Sequence, residues 1–321
     1  MMLVIFGPTA TGKTDLALGL ANKFNGELIS ADSRQVYKNL DITSGKANFG
    51  LKVEKHNRYW IVDGVKIHGF DLVDPGQNFS ASDFIKFAKT AVAQIIKTSK
   101  LPIIVGGTGF YIQTFIGGLD SVGIAPDANL RSQLEKLSTT MLYQKLLITN
   151  PKRAKSMNQS DKKNPRRLIR AIEITSSGQN PNTQNKTLHP TPYTLNPLII
   201  GLTAPNQYLY KKADNWLKIR LKNGMVEEVK NLIDNNVNNK WLEQLGLECR
   251  WLTRYQIGEI SEDEATERLR GDIHSFIRRQ KTWFSKFKNI KLYDITNPAY
   301  KDLIENQVAL WYISHSLQAN A

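Results

Sequence analysis

The chain has 321 residues, is 41% hydrophobic and carries a formal net charge of +14. This length and hydrophobic content can bury a sizeable core, so we expect a soluble globular protein. The single cysteine, Cys249, excludes an intramolecular disulfide, and no apolar run approaches the roughly 20 residues that span a bilayer. We therefore expect a structural thiol at Cys249, a cytoplasmic location and no membrane partner.

The first predicted element is a short buried strand over 2–6, and the Gly-rich loop after it leads directly into a helical pattern over 15–21. The loop matches G-x-x-x-x-G-K-[ST], in which backbone N–H groups surround a polyphosphate at a positively polarised helix start. It predicts diphosphate or triphosphate binding by eight residues: Gly7, Pro8, Thr9, Ala10, Thr11, Gly12, Lys13 and Thr14. Lys13 would contact the outer phosphate oxygens, and the Thr14 hydroxyl would hold Mg²⁺. An ordinary strand-to-helix turn is the alternative.

Two further buried strands are predicted, over 27–30 and 101–105, and each ends in a polar or Gly-rich loop. Between them lie short β-like pieces and an amphipathic helix, which begins at a capping box formed by Ser80 and Asp83. The alternation of strands and helices predicts a parallel sheet, and such sheets bind ligands at the carboxyl ends of their strands.

The pattern changes after residue 118, because residues 120–175 have helical periodicity and no convincing strand. The patterns predict one helix from Leu130 to Leu147, an extended connection over 176–196, a core strand over 198–202, helices over 207–290 and a weakly patterned tail. We therefore expect an α/β fold: a P-loop NTPase-like parallel sheet flanked by helices, with an inserted all-helical domain. The expected boundaries are 1–119 and 186–321 for a discontinuous catalytic core, and 120–185 for the insertion.

Most of the excess positive charge lies in two segments, 152–170 and 270–291, which hold eight and seven basic residues against one acid each. Aromatic residues alternate with the cations of the second segment: Phe276, Trp283, Phe284 and Phe287. This mixture suits contacts with RNA phosphates and stacking on bases, although aromatics at helical spacing are more often buried in a core. Two local clusters favour a nucleic-acid partner over a basic surface that serves only solubility.

Six motifs occur in order along the chain: G-P-T-A-T-G-K-T (7–14), I-S-A-D-S-R-Q-V-Y (29–37), D-I (41–42), L-P-I-I-V-G-G-T-G-F-Y (101–111), N-P-R-R-L-I-R-A-I-E (164–173) and R-R-Q-K-T-W (278–283). Together they closely resemble the tRNA dimethylallyltransferases, also called tRNA isopentenyltransferases, of the IPP transferase family. The loop motif alone is weak family evidence, but followed by A-D-S-R-Q-V-Y and G-G-T-G-x-Y it is highly specific.

The resemblance implies transfer of a dimethylallyl group from dimethylallyl diphosphate to N6 of adenosine 37 in tRNA, with release of diphosphate and Mg²⁺ as cofactor. It also implies three catalytic residues. Lys13 and Thr14 would oppose the charge that grows on the departing diphosphate, and Asp32 would accept the proton of the attacking amine. The adenine would be extruded from the anticodon loop into the protein. We expect a monomer.

The resemblance further implies contacts with the anticodon stem-loop of the tRNA. They are assigned to Asp32, Ser33, Arg34, Gln35, Thr108, Arg131, Arg166, Arg167, Leu168, Ile169, Arg170, Arg278, Arg279, Gln280, Lys281, Thr282, Trp283 and Phe284. For Thr108 the alternative is a tight strand-to-helix turn. For Arg131 it is a solvated helix residue.

The chain departs from the family pattern at four positions. Lys212 and Trp216 stand where arginines are usual, Arg220 where methionine is usual, and Leu247 where tyrosine is usual. We interpret Arg220 as a candidate replacement for a lost cation. Two other functions stay open. A P-loop kinase for a small molecule or nucleoside does not explain the basic segments. A GTPase-like switch or RNA-binding module without transfer chemistry is disfavoured, because the sequence has no Asn-Lys-x-Asp motif of the kind that reads guanine.

Overall fold

The described residues form two units. The structure is a computed structural model that describes residues 1–46, 50–117, 124, 126–178, 197–287 and 290–319, with only the backbone described for 316–319. One unit combines residues 1–116 with 195–321, and the other comprises residues 117–194. Among the described residues, no helix combines the length and the apolar character that a membrane span needs.

A mostly parallel sheet forms the centre of the first unit. Its strands in chain order are β1 (Leu3–Phe6), β2 (Gly26–Ser30), β3 (Val53–His56), β4 (Tyr59–Val62), β5 (Val65–His68), β6 (Leu101–Gly106), β7 (Leu198–Thr203) and β8 (Leu292–Asp294). The spatial order is β3-β4-β5-β2-β6-β1-β7-β8. All neighbouring pairs from β5 to β8 are parallel, whereas β3-β4 and β4-β5 are antiparallel.

Helices cover the sheet and build the second unit. In chain order they are α1 (Lys13–Lys23), α2 (Ala81–Lys97), α3 (Gly109–Gly117), α4 (Ala128–Leu134), α5 (Thr139–Thr149), α6 (Pro151–Ser156), α7 (Gln159–Lys162), α8 (Pro165–Ser176), α9 (Asn206–Lys222), α10 (Met225–Asp234), α11 (Asn239–Leu245), α12 (Leu247–Gln256), α13 (Glu262–Phe284) and α14 (Tyr300–Ala319). The predicted fold class is confirmed: an α/β protein with a P-loop and an inserted helical part.

The central strands are buried on both faces, as the continuous apolar runs in their sequences predict. Every residue of β1 is fully buried, and Leu3 is paired with Ile103 of β6 on one side and Leu198 of β7 on the other. This register brings the carboxyl ends of β1, β2, β6 and β7 to one edge of the sheet. The loops that follow these strands carry the predicted site.

One edge of the otherwise parallel sheet is antiparallel. The two pieces predicted as short β-strands, over 59–62 and 65–67, are β4 and β5, and β3 joins them in a meander that was not predicted. A buried cation, Lys46, attaches this meander to the rest of the unit. The Lys46 ammonium pairs with Asp41 at 2.7 Å and with Asp71, which in turn accepts from the Trp60 indole N–H at 2.6 Å. Antiparallel neighbours can be joined by a tight turn, whereas a parallel neighbour needs a long crossover connection, and this edge of the sheet uses tight turns.

One helix predicted in the insertion is two helices in the structure. Leu130 to Leu147 do not form a single helix, because α4 ends at Leu134 and α5 begins at Thr139. The break lies at Ser138, whose hydroxyl accepts from the Met141 N–H and starts a new helix. The apolar residues keep their helical spacing through the break, so the sequence pattern did not reveal it. The Ser138 side chain accepts from an N–H group that would bond to a backbone carbonyl in a continuous helix.

The end of the chain has more structure than its weak sequence pattern predicts. β8 adds a parallel strand beside β7, and α14 buries Ile304 and Val308 in the main core. The predicted extended connection over 176–196 lies almost entirely outside the described residues. Cys249 is free and buried, and burial raises the pKa of its thiol to about 12, as suits a structural thiol.

Candidate active site

The loop between β1 and α1 has the curled backbone of a phosphate-binding loop. Ala10 and Gly12 adopt positive φ angles of 68° and 73°. A Cβ at Gly7 would lie 3.0 Å from Leu202 of β7, so even an alanine would crowd the sheet. α1 begins after Gly12 without a side-chain cap, and its first N–H groups are left for an anionic ligand.

Lys13 is enclosed by this loop. Its Nζ lies 3.4 Å from the Pro8 carbonyl oxygen. Burial lowers the pKa of Lys13, and the carboxylates of Asp32 and Asp15 oppose that shift. A bound diphosphate would raise the pKa again, because an anion favours the protonated amine. Lys13 is therefore placed to give a phosphate oxygen the positive charge that the loop N–H groups supply only in part.

A cavity of about 660 Å³ lies beside the loop. Three predicted catalytic residues, Lys13, Thr14 and Asp32, line it together. Apolar side chains line it as well: Leu28, Leu51, Ile67, Phe70, Val105, Trp216 and Ile219. A site with a few convergent polar groups and a large apolar lining is typical of small-molecule pockets of this size. The cavity can therefore hold a ligand with an anionic head and an apolar body.

Asp32 follows β2 in a loop that is tied to the end of β6. One of its carboxylate oxygens accepts from the Arg34 N–H at 2.9 Å. The Ser33 N–H donates to the Thr108 hydroxyl at 3.1 Å, and the Thr108 N–H donates to the Ala31 carbonyl at 3.2 Å. These bonds hold the carboxylate at the sheet edge where parallel sheets bind ligands. Thr108 closes a tight turn here, and its contact with tRNA stays a prediction.

Arg34 is engaged inside the protein. Its guanidinium donates to a Glu248 carboxylate oxygen at 3.0 Å and to the Leu245 carbonyl at 3.2 Å. Burial raises the pKa of Glu248, but Arg220 and Arg34 outweigh that effect and hold the pKa below its ordinary value. The sequence analysis did not identify Glu248 as a partner of the site residues. It stands directly after Leu247, where the chain departs from the family pattern. Gln35 also lies at the cavity, where its side-chain oxygen accepts from the Ser30 hydroxyl.

Arg220 does not serve the cavity as the sequence interpretation expected. It is 4% exposed, and its guanidinium donates to the other Glu248 oxygen at 2.8 Å and to the Thr43 carbonyl at 3.0 Å. It is not among the described residues that line the cavity, whereas Lys212 and Trp216 of α9 are. The buried carboxylate takes up the charge of Arg220, so this interpretation is wrong, and Lys212 is a cation that α9 contributes instead.

The predicted RNA-binding segment 278–284 forms the last part of α13, and three of its residues are exposed: Arg278, Arg279 and Thr282. The Arg278 guanidinium donates to the Tyr210 hydroxyl at 2.8 Å, and the Arg279 guanidinium lies 5.8 Å from the ring centroid of Phe276. Both cations are on the surface, where an RNA phosphate can reach them.

The other residues of this segment serve the protein interior. Gln280 and Phe284 are buried, and Phe284 packs on Phe6 with ring centroids 4.6 Å apart. Lys281 donates to the Ala204 carbonyl at 2.9 Å, and Trp283 packs against Phe110 in an edge-on contact. Of the four aromatic residues, Phe284 is buried in the core, whereas Phe276, Trp283 and Phe287 are half-buried.

In the insertion, Arg131 is neither free nor merely solvated. Its Nε and Nη2 donate to the two carboxylate oxygens of Glu173 at 2.6 and 2.9 Å, and only 1% of the Glu173 side chain is exposed. Burial raises the pKa of Glu173, but hydrogen bonds from Arg131, the Asp127 N–H and Arg170 outweigh it and leave the pKa below its ordinary value. This bidentate pair holds α4 to α8.

The motif at the start of α8 combines exposed cations with core residues. Leu168 and Ile169 are buried in the core of the insertion, so their side chains do not face solvent. Arg166 and Arg167 are exposed, and Arg167 pairs with Asp161. Arg170 pairs with Glu173 and donates to the Ile124 carbonyl at 2.7 Å.

The fold and the site define a class of protein. A phosphate-binding loop at the carboxyl edge of a mostly parallel sheet, with a carboxylate and apolar side chains in the same cavity, is the arrangement of P-loop proteins that act on a phosphorylated ligand. A family model described as IPP transferase matches residues 35–287 of the chain.

Curated relatives and solved structures agree with that match. The chain is 37% identical over 289 residues to tRNA dimethylallyltransferase 1 of Geotalea daltonii, covering 89% of this chain and 87% of the relative. It is 33% identical over 321 residues to the tRNA dimethylallyltransferase of Clostridioides difficile, covering 99% and 98%.

Among solved structures, a tRNA isopentenylpyrophosphate transferase from Bacillus halodurans superimposes with a TM-score of 0.69 at 29% identity, covering 100% of this chain and 99% of that one. A eukaryotic dimethylallyltransferase acting on tRNA gives 0.74 at 25% identity, covering 99% and 79%. The chain belongs to the IPP transferase family. The predicted family, the transferase class and the tRNA-modifying activity are confirmed, and the kinase and switch alternatives are set aside.

Proposed function

We propose that the protein transfers a dimethylallyl group from dimethylallyl diphosphate to N6 of adenosine 37 in tRNA and releases diphosphate. The observation that carries this proposal is one cavity lined by the phosphate-binding loop, by Asp32 and by apolar side chains. A prenyl diphosphate has an apolar chain directly attached to its anionic head, and this cavity offers a lining for each part.

The donor's diphosphate would bind to the N–H groups of residues 7–14 and to Lys13, with its five-carbon chain against Phe70 and Trp216. Magnesium fits this site by donor chemistry, because the Thr14 hydroxyl is a hard oxygen ligand that lines the same cavity as the phosphate-binding loop. When bound, the ion would neutralise charge on the diphosphate oxygens.

In the reaction, the N6 lone pair of the adenine forms a bond to C1 of the donor while the bond from C1 to the diphosphate oxygen breaks. Negative charge grows on the departing oxygen in the transition state. Lys13 and the loop N–H groups therefore stabilise the transition state more strongly than the ground state. The N6 proton passes to the Asp32 carboxylate, which is held in place by the Arg34 N–H.

The tRNA would be bound by cations on each unit. Arg278 and Arg279 are exposed on α13, and Arg166 and Arg167 are exposed on the insertion. Cations of this kind contact phosphates and position the RNA without reading its sequence. An anticodon-loop adenine is stacked in the free RNA, so it would be extruded to meet the donor.

The test is transfer of labelled dimethylallyl from its diphosphate to unmodified tRNA in the presence of Mg²⁺. We expect label on tRNA with adenosine at position 37 and none on an otherwise identical tRNA with guanosine there. Labelling of both RNAs would contradict the assignment of the acceptor. No labelling, together with ATP turnover on a metabolite, would contradict the whole proposal.

A further inference from the structure

We propose that Gln280 is a positioning residue of the donor site, which holds the phosphate-binding loop in the shape that receives the diphosphate. The inference rests on the proposed function, since it takes residues 7–14 as the diphosphate site. Gln280 belongs to the segment whose pattern predicts RNA contact, but it is 5% exposed. Its side chain therefore acts inside the protein.

The side-chain amide of Gln280 joins two loops. Its oxygen accepts from the Thr9 N–H at 2.8 Å and from the Thr9 hydroxyl at 3.1 Å. Its NH₂ group donates to the Gly107 carbonyl at 2.9 Å. Thr9 lies in the loop after β1 and Gly107 in the loop after β6, so one amide fixes the spacing of both.

Only a side chain with an acceptor and a donor at this reach satisfies both loops. The Thr9 N–H requires an acceptor, and the Gly107 carbonyl requires a donor. A glutamate would lose the donor, and a methionine of similar length would lose both functions. Either change would leave a buried polar group of the backbone without its partner.

The Gln280 amide and the Lys13 side chain both lie close to Gly107. A Cβ at Gly107 would lie 2.7 Å from Gln280 Nε2 and 3.6 Å from Lys13 Nζ. The hydrogen bonds of Gln280 therefore fix the position of the loop at Gly107, next to Lys13. A loop that is held before the ligand arrives does not have to be ordered on binding, which raises affinity for the ligand.

The role of Gln280 differs from that of its neighbours in the segment predicted to contact RNA. Arg278 and Arg279, just before it in the chain, are exposed, whereas the Gln280 side chain is directed to the phosphate loop. A change at 280 should therefore affect the donor and spare the RNA, which is the reverse of what the sequence pattern predicts for this residue.

The first test compares Gln280→Met with Gln94→Met, the same change at an exposed position of α2. Binding of dimethylallyl diphosphate with Mg²⁺ is measured by calorimetry, and binding of unmodified tRNA by filter retention. We expect Gln280→Met to weaken donor binding about tenfold, from the loss of the hydrogen bonds to both loops. We expect unchanged tRNA binding, and no effect of Gln94→Met on either ligand.

The second test uses Gln280→Glu and a pH series. The ionised carboxylate cannot donate to the Gly107 carbonyl, but the protonated form can, so the donor affinity of the variant relative to the wild type should recover as the pH falls. A residue that merely supports the fold would give a pH-independent ratio. This arm also decides the matter if Gln280→Met does not fold.

Unchanged donor affinity in Gln280→Met, a pH-independent ratio in Gln280→Glu, or loss of tRNA binding with donor binding intact would overturn the inference. If the wild type itself does not bind dimethylallyl diphosphate, the proposed function fails first, and the inference fails with it.

Discussion

Asp32 owes its position to backbone groups rather than to a charged partner. The Arg34 N–H donates to one of its oxygens, and the Ser33 to Thr108 bond ties its loop to β6. The backbone thereby fixes the direction of the carboxylate, which is what a proton acceptor needs. The nearest guanidinium in sequence, that of Arg34, is bound to Glu248 instead.

We expect Asp32→Ala to lower kcat by roughly 10²–10⁴, the usual effect of removing a positioned base. Donor and tRNA affinities should be retained, because in this account the carboxylate takes a proton and binds neither substrate strongly. Single-turnover transfer to tRNA measures the effect. Asp15→Ala is the matched control, since Asp15 also lines the cavity and has no assigned role in proton transfer. Normal turnover in Asp32→Ala would contradict the role of the residue.

We expect Glu248→Gln to destabilise the protein by about 3 kcal/mol, because breaking a buried ion pair leaves uncompensated charge. The two arginines that share Glu248 have side chains only 21% and 5% exposed. The folded-state pKa of Glu248 is below its ordinary 4.5. Its stabilisation is therefore complete above pH 4.5 and is lost as the pH falls through the folded-state pKa.

Urea denaturation of the wild type and of Glu248→Gln over this pH range checks the prediction. The difference in unfolding free energy between the two should shrink as the solution becomes more acidic. A difference that stays constant with pH would show that the carboxylate does not carry its charge in the folded state.

For helices and strands, the sequence pattern predicted features that neighbouring residues determine and missed contacts between residues far apart in the chain. The phosphate-binding loop, the capping box at Ser80 and the core strands depend on neighbouring residues, and all were predicted. The bond from Thr9 to Gln280 joins residues 271 positions apart, and that from Arg34 to Glu248 spans 214. No local pattern specifies such a pair, so buried partners of predicted site residues were the main omission.

The insertion shows the same limit on the scale of a helix. The motif at the start of α8 was assigned to RNA as a block, but helical geometry divides it, since neighbouring residues in a helix point in different directions. Arg166 and Arg167 are on the surface, and Leu168 is in the core. A motif therefore identifies a segment, while its periodicity determines which members can touch a ligand.

We expect Leu168→Ala to cost about 2–5 kcal/mol of stability in the insertion, the usual range for a fully buried leucine. Binding of tRNA should weaken through loss of the insertion's structure, and donor binding should be unchanged. Leu147→Ala, at a position of α5 that is 37% exposed, is the control and should change neither. Thermal denaturation and the two binding assays measure these effects. A stable Leu168→Ala protein with weakened tRNA binding would indicate direct RNA contact instead.

Over the whole molecule, the excess of positive charge is the property of the sequence that indicates an RNA partner. The net charge of +14 is concentrated in two segments, yet many of those cations are paired within the protein, as Arg170 is with Glu173 and Lys281 with Asn206. The number of basic residues therefore overstates the number of phosphate contacts. Exposure and pairing, which only the structure gives, reduce the candidates to a smaller set.

Salt dependence tests that smaller set. We expect Arg279→Ala to weaken tRNA binding and to make the plot of log affinity against log salt shallower by roughly 0.7–0.9, the share of one phosphate contact. Arg268→Ala is the control, because Arg268 is paired with Glu264 on the same helix and should leave the slope unchanged. Equal slopes for Arg279→Ala and the wild type would show that this arginine does not contact a phosphate.

In the proposed reaction, a phosphate loop of nucleotide-binding type holds a prenyl diphosphate while its carbon chain moves onto RNA. A crystal structure with Mg²⁺ and an unreactive thio-analogue of dimethylallyl diphosphate tests it most directly. We expect the diphosphate on the N–H groups of residues 7–14 and on Lys13, with the prenyl chain beside Phe70 and Trp216 and its C1 facing Asp32. A diphosphate bound away from residues 7–14 would contradict it.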